Sequence, residues 1–335
     1  MGKERTAPAA VTSADVARLA GVSRATVSFV LNNTQAHRVS DTTRARVLAA
    51  ADQLGYVPHA AARSLRAGRS NLVLMPASVS AVGRLVSTWI DDLQGELEQL
   101  GYITVLHAGR FPNAVSAARA WAELRPAAVV ALEGDSLTGQ AADVLTKAGV
   151  RGVLAFASRR AEGIHTIDFD HTRVGALAAE HLVSRGRRNL GVIMPQERGL
   201  DTFARPRLAG AQSVASRTTA SVTPVEMAYT RGSAAELAER WPELGLDAVF
   251  AYNDEYAALL LHALRDAGVR VPEEVSVVGC DDLLVSALQQ PPLTTVRLDM
   301  PAPAQVADAL HELVERGVPP EVPGMEPVLV QRQSS

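Results

Sequence analysis

Arg24 is the side chain in this sequence best placed to read a base. It follows Ser23 and precedes Ala25 at the start of a short amphipathic run. A guanidinium offered from the first turn of a helix bonds O6 and N7 of guanine in bidentate fashion, worth about 1–3 kcal/mol of discrimination. Thr12, Ser23, Thr26, Ser28, Asn32, Ser40 and Thr43 are short donors nearby, of the kind that hold phosphates and fix register. A second set lies far downstream, where polar residues follow apolar runs: Asp170 after "IHTIDF", Asn253-Asp254 after "AVFAY" and Asp281-Asp282 after "VSVVGC", with Arg207 opening a helix in "ARPRLAG". Polar groups at strand ends suit a small ligand. Taken singly, Asn253-Asp254 reads equally as a helix cap and Asp281-Asp282 as a turn.

Groups for catalysis do not assemble. The sequence has no Gly-x-Ser-x-Gly and no Gly-x-Gly-x-x-Gly. Its two lysines, Lys3 and Lys147, lie outside any Gly-Lys-Ser/Thr loop. The single cysteine, Cys280, excludes an intramolecular disulfide and a cysteine-based zinc cluster. His311-Glu312 begins a zincin-like pattern, but Glu315 stands where the second histidine belongs, so these residues read as a solvated helix face. His165 and His171 are the nearest histidine pair, read as a strand and a loop. No catalytic residue, metal or cofactor is expected.

The first set needs a scaffold of three helices. Thr12 or Ser13 caps the first, whose apolar face is Val16, Leu19 and Ala20, and Gly21 turns the chain. Ser23 caps the second, with Val27, Val30 and Leu31 inward and Arg24, Ala25 and Ser28 outward. Val39, Ser40, Val47, Ala51, Leu54 and Gly55 supply staple, cap, core and stop for the third. Charge supports a polyanion partner for this segment alone. Residues 1–70 carry +6 and the remainder −9, although the whole chain sums to −3. A small basic unit of this pattern suits a helix-turn-helix that lays its second helix in the major groove of duplex DNA.

The second set needs parallel sheets. Strand-like runs at 72–75, 103–106, 128–132, 153–156, 190–194, 248–251, 275–279 and 294–297 alternate with helical patterns at 85–100, 137–148, 172–185 and 255–267, each ending at a glycine. Such alternation predicts α/β lobes with helices on both faces of each sheet.

The resemblance to a known family rests on these same residues. "VTSADVARLAGVSRATVSFVLN" and "RVSDTTRARVLAAADQLGYVPHAAARSLRAGRSN" resemble the N-terminus of the lactose-repressor (LacI/GalR) family, with a departure in loop length around 33–37. "RPRLAG", "AVFAYNDEYA", "VPEEVSVVGCDDL" and "PPLTTVRLD" resemble its periplasmic-binding-protein-like effector domain. The resemblance implies that Arg24 and Ala25 read bases, and Phe29 stands where many members carry a base-contacting arginine. It implies a hinge helix from Pro58, with Arg63 and Arg66 near DNA and Leu65 wedged into a minor-groove base step. It also implies that Arg207, Asn253 and Asp281 grip a small ligand, with Asp170 near the lobe junction. The first lobe departs from the family where Pro76-Ala77-Ser78-Val79-Ser80 lacks the usual acid and aromatic, and Thr230-Arg231-Gly232 lacks an aromatic after the strand near Tyr229. With only 4% aromatic residues, stacking on a sugar ring is an analogy.

The expected organisation is a tail at 1–10, an all-α helix-turn-helix domain at 11–57, a hinge helix and linker at 58–70, and a two-lobed α/β effector and dimerisation domain at 71–335. Its N-lobe takes about 71–168 and 298–322, and its C-lobe about 169–297 and 323–335. The expected function is a dimeric repressor of near-palindromic double-stranded operator DNA, set by a small-molecule effector, possessing no membrane partner and working in the cytoplasm. No apolar run reaches the roughly 20 residues that span a bilayer, and the N-terminus has charges without an apolar h-region. Two rival functions share these features: a ligand-independent DNA-binding protein whose body only dimerises, and an enzyme with a regulatory DNA-binding head.

Overall fold

The computed structural model describes residues 11–31, 39–57, 70–77 and 83–335. The chain falls into two compact units, Met1–Ser70 and Asn71–Ser335.

Three described helices make the first unit: α1 (Ser13–Ala20), α2 (Arg24–Leu31) and α3 (Asp41–Gln53). Thr12 starts α1, its backbone N–H and hydroxyl both donating to the Asp15 carboxylate at 3.0 and 2.6 Å. Gly21, at φ +63°, turns the chain into α2. Ser23 and Ser40 cap α2 and α3 by accepting the N–H of Thr26 and Thr43. Val16, Val27 and Val47 are wholly buried at the centre. Leu19, expected inside, is 46% exposed, and Ala17 takes its place. At 3.6 residues per turn, Val16, Ala17 and Ala20 form one stripe, and Leu19 points roughly 100° away from its centre.

The second unit holds two sheets. The first runs β2-β1-β3-β4-β5, all parallel, from β1 (Leu72–Pro76), β2 (Ile103–His107), β3 (Ala128–Ala131), β4 (Gly152–Ala157) and β5 (His165–Asp168). The second runs β11-β10-β9-β8-β6-β7, from β6 (Asn189–Pro195), β7 (Ser221–Met227), β8 (Ala248–Phe250), β9 (Ser276–Cys280), β10 (Thr294–Leu298) and β11 (Pro327–Val330). Only the β10–β11 pair in it is antiparallel. Helices α4 (Arg84–Gln99), α5 (Ala114–Glu123) and α6 (Gly139–Lys147) serve the first sheet. Helices α7 (His171–Ser184), α8 (Asp201–Ala215), α9 (Arg231–Glu239), α10 (Trp241–Leu244), α11 (Asp254–Asp266) and α12 (Leu284–Ala287) serve the second. Helix α13 (Pro303–Arg316) returns to pack on α4 and β4.

The chain therefore passes between the lobes after β5, after β10 and after α13. Phe169 and Met325 bridge in parallel where two passages meet, and Trp89 on α4 donates its indole N–H to the Pro301 carbonyl of the third at 2.8 Å.

Three readings need correction. His171 is the first residue of α7, not part of a loop. Arg207 does not open its helix: α8 begins at Asp201 and carries Pro206 inside it. Proline there removes one N–H but keeps φ helical, so the turns before it survive. His311 is not simply solvated, because its Nδ1 pairs with the Tyr102 hydroxyl at 3.1 Å.

Candidate functional site

In the first unit, Arg24 and Ala25 are exposed on the side of α2 away from buried Val27 and Val30. Their neighbours are committed to holding the helix ends. The Ser23 and Thr26 hydroxyls are hydrogen-bonded at 2.9 Å, and Ser40 Oγ donates to Thr43 Oγ1 at 3.0 Å. Ser28 is half-buried on the same helix. Asp15 pairs with Arg18 at 3.1 Å, and the Thr12 donors and that guanidinium lower its pKa. Asn32, Arg63, Leu65 and Arg66 lie outside the described residues.

In the second unit, a cavity of ≈ 250 Å³ opens where the carboxyl ends of both sheets face the lobe passages. Arg207, Asn253 and Asp281 all line it; Asp170 does not. Asp170 caps α7 instead, accepting the Thr172 N–H at 2.7 Å. Cys280 lies fully buried behind Asp281.

Arg207 is 5% exposed. Its Nη1 donates to the Tyr252 carbonyl, and its guanidinium carbon sits 5.1 Å from the Tyr252 ring centre. Its Nε has no hydrogen-bond partner among the described residues. Burial works against its charge, but Cys280, Tyr252, Asp281 and Asp254 outweigh that and raise its pKa. Burial raises the Asp281 carboxyl, while the Arg207 charge and the Cys280 thiol oppose the shift. Asp281 and Asp282 both hold positive φ, +96° and +51°. Non-glycine residues rarely adopt that conformation, and it stores strain of the kind that gathers at functional sites.

Arg207 reaches this place because α7 and α8 meet almost backbone to backbone. A Cβ on Gly175 would lie 1.8 Å from the Arg207 carbonyl oxygen, and one on Gly210 would lie 1.9 Å from that of Thr172. Asn253 is placed by its own capping bond, its Oδ1 accepting the Tyr256 N–H at 3.1 Å. Capping and lining are here one role.

The remaining wall was not legible beforehand. Six of the fourteen Phe, Trp and Tyr residues line the cavity: Phe156, Phe169, Phe203, Tyr229, Tyr252 and Tyr256. The low aromatic content is thus concentrated, and the aromatic near the end of β7 is Tyr229 itself. The first lobe's acid is Glu133, just past β3, rather than a residue after β1. His171 sits between Phe169 and Phe203, with ring centres at 4.2 and 4.9 Å. Burial, then the Arg207 charge, hold its pKa well below the usual value, so it is neutral. Glu197, on the loop after β6, accepts from the Tyr256 hydroxyl and the Tyr229 N–H. Burial raises its pKa, but these donors win and the net shift is downward. Among the described residues, no group of three or more His, Cys, Asp or Glu is arranged to hold a metal.

Comparison with known proteins matches both units. The profile of bacterial regulatory proteins, lacI family, matches residues 12–59, and that of the periplasmic binding protein-like domain matches 179–335. The GalR transcriptional regulator of Escherichia coli is 30% identical over 335 residues, covering 96% of this chain and 95% of its own. The chain belongs to the lacI family. Within that family, the PurR repressor of Vibrio atlanticus is 30% identical over 296 residues, covering 85% of this chain and 86% of its own. A lac repressor dimer bound to operator and an anti-inducer has a TM-score of 0.74 at 26% identity, covering 97% of this chain and 99% of that one. A LacI-family protein from Silicibacter pomeroyi, at 24% identity and a TM-score of 0.80, shares the fold over 97% of this chain and 99% of that one. The protein is therefore a DNA-binding transcriptional regulator, a helix-turn-helix head followed by a two-lobed periplasmic-binding-protein-like domain.

Proposed function

We propose that the protein is a cytoplasmic, homodimeric repressor whose affinity for a near-palindromic operator is set by a small effector bound in the ≈ 250 Å³ cavity. Arg24 and Ala25 read base edges, and Thr12, Ser23, Thr26, Ser28, Asn32, Ser40 and Thr43 hold backbone and register. Arg63 and Arg66 contact DNA at the hinge, and Leu65 is the minor-groove wedge. Arg207, Asn253 and Asp281 bind the effector, and Asp170 fixes the start of α7 beside it. The expected divisions at 57/58 and 70/71 and between the lobes are part of the same proposal.

The effector claim rests on one observation above all: the cavity holds a nearly buried arginine with an unpartnered Nε. A protein whose body only dimerised would have no use for a desolvated, half-satisfied guanidinium. The cavity walls include Phe169, Met300 and Met325 from the lobe passages, and Leu298 at the end of β10. A ligand seated there bears on the segments about which the lobes move, giving a coupling of typically about 1–3 kcal/mol.

The DNA reading is tested by selecting operators from a randomised pool. Arg24→Ala should relax preference at one base pair in each half-site, and an unchanged consensus would clear Arg24 of that role. On the wild-type consensus the variant should bind about 5- to 150-fold more weakly.

A further inference from the structure

We propose that the cavity takes an organic cation: an amine toward Glu197, an apolar or aromatic body, and a hydroxyl or carbonyl oxygen toward Arg207. This rests on the cavity being the effector site.

Charge points this way first. Glu133, Glu197, Glu255 and Asp281 line the cavity, and Arg207 is the only Lys or Arg among the described lining residues. That cation donates to the Tyr252 carbonyl and lies over the Tyr252 ring, and the Asp281 charge also acts on it. An anionic ligand would meet four carboxylates against one guanidinium. A cation meets Glu197 as a fixed acceptor, held by Tyr256 and Tyr229.

The rings agree with the charges. Tyr229 and Tyr252 both lie against Tyr256, with ring centres at 5.2 and 5.5 Å, so three tyrosines and Glu197 form one cluster. Aromatic faces carry negative charge and attract ammonium groups, most strongly where water is excluded. Contacts run from Glu197 through Tyr256 and Tyr252 to Arg207, so the two polar ends are separated by two rings. At the Arg207 end the unpartnered Nε–H calls for one acceptor. The lining also includes Leu85, Leu132, Leu200, Met300 and Met325. A sugar carries hydroxyls around its whole rim and would leave several of them against these side chains. A ligand polar only at its ends would not.

The probes are tyramine, its carboxylate counterpart 3-(4-hydroxyphenyl)propionate, and glucose. Each is titrated calorimetrically into the full-length protein and into Glu197→Gln. Glutamine keeps an oxygen for the Tyr229 N–H, and matching melting curves establish that the variant is folded. If the curves differ, Glu255→Gln in the same cavity supplies the measurement. Tyramine should bind at least about tenfold more tightly than either other probe, and the substitution should cost it about tenfold. The inference is overturned by equal or tighter binding of the carboxylate or glucose. It is overturned equally by tyramine affinity unchanged in the variant, or by no tyramine binding at millimolar concentration. Operator binding with each probe separates the two layers. Tyramine that binds but leaves operator affinity unchanged refutes the effector reading and preserves the ligand class. Glucose or the carboxylate shifting operator affinity preserves the effector reading and refutes the class.

Discussion

Asp254 is fully buried beneath the cavity, where its carboxylate accepts from the Thr295 hydroxyl at 2.6 Å and the Leu283 N–H at 2.7 Å. Gly279 makes the room, since a Cβ there would lie 2.2 Å from Asp254 Oδ1. Burial, reinforced by Asp281 and Asp282 against those two donors, lifts its pKa to about 7. An unfolded aspartate ionises near 3.9. Between about pH 4 and pH 7 the folded chain keeps a proton that the unfolded chain has released, so this residue's contribution falls as pH rises and levels off above 7. The whole loss is at most about 4 kcal/mol. Asp254→Asn removes the titration while keeping an oxygen for Leu283. Denaturant unfolding of both chains should show the variant gaining on wild type between pH 5 and pH 8. A difference that does not vary with pH would assign the shift to something other than Asp254. Asn253-Asp254 was recognisable beforehand as a strand-end pair, because capping residues sit in a local pattern. The aromatic wall was not: Phe156, Phe169, Phe203, Tyr229 and Tyr252 come from five separate segments, so no stretch of sequence contains the pattern they make.

Helices α7 and α8 form the element on which the site depends, because together they place His171, Phe203 and Arg207 in the cavity wall. Their contact depends on absent side chains. A methyl on Gly210 would stand 1.9 Å from the Thr172 carbonyl oxygen and 2.8 Å from the Ala176 nitrogen, both backbone atoms that cannot swing aside. Gly210→Ala should therefore force the helices apart and destabilise the chain by about 3 kcal/mol, the upper part of the range for overpacking. Gly95 on α4 provides the control: it is exposed and nothing lies within 4 Å of its built Cβ. There alanine should stabilise by about 0.5–1 kcal/mol. Denaturant midpoints that move alike in the two variants would contradict the close-contact account. Buried central strands were legible at this scale, because they are continuous apolar runs ended by turn residues. Strand β11 is absent from the strand-like runs, and β7 entered only through the resemblance, as the strand near Tyr229; both are sheet edges with mixed exposure. Pro224 inside β7 argues against a strand unless that strand lies at an edge.

At the scale of the whole molecule, charge is divided along the chain: +6 in residues 1–70 and −9 in the rest. The net −3 therefore says little about affinity for DNA. What matters is how many phosphates the first unit neutralises, because each released counterion makes binding fall with added salt. If each protomer of a dimer neutralises about four phosphates, log affinity against log salt should have a slope of about −7. Residues 71–335, with 23 basic groups against 32 acidic, should bind no DNA at the same concentrations. Fluorescence anisotropy with operator duplex between 50 and 200 mM salt, the range over which such contacts lose roughly a thousandfold or more, measures both. A flat titration for the full chain would remove phosphate contact as the source of affinity, and binding by the acidic unit alone would place that source outside the helix-turn-helix. A slope near half the expected value would mean that one head engages the duplex at a time. That result would leave Arg24 as a base reader and withdraw the paired half-sites.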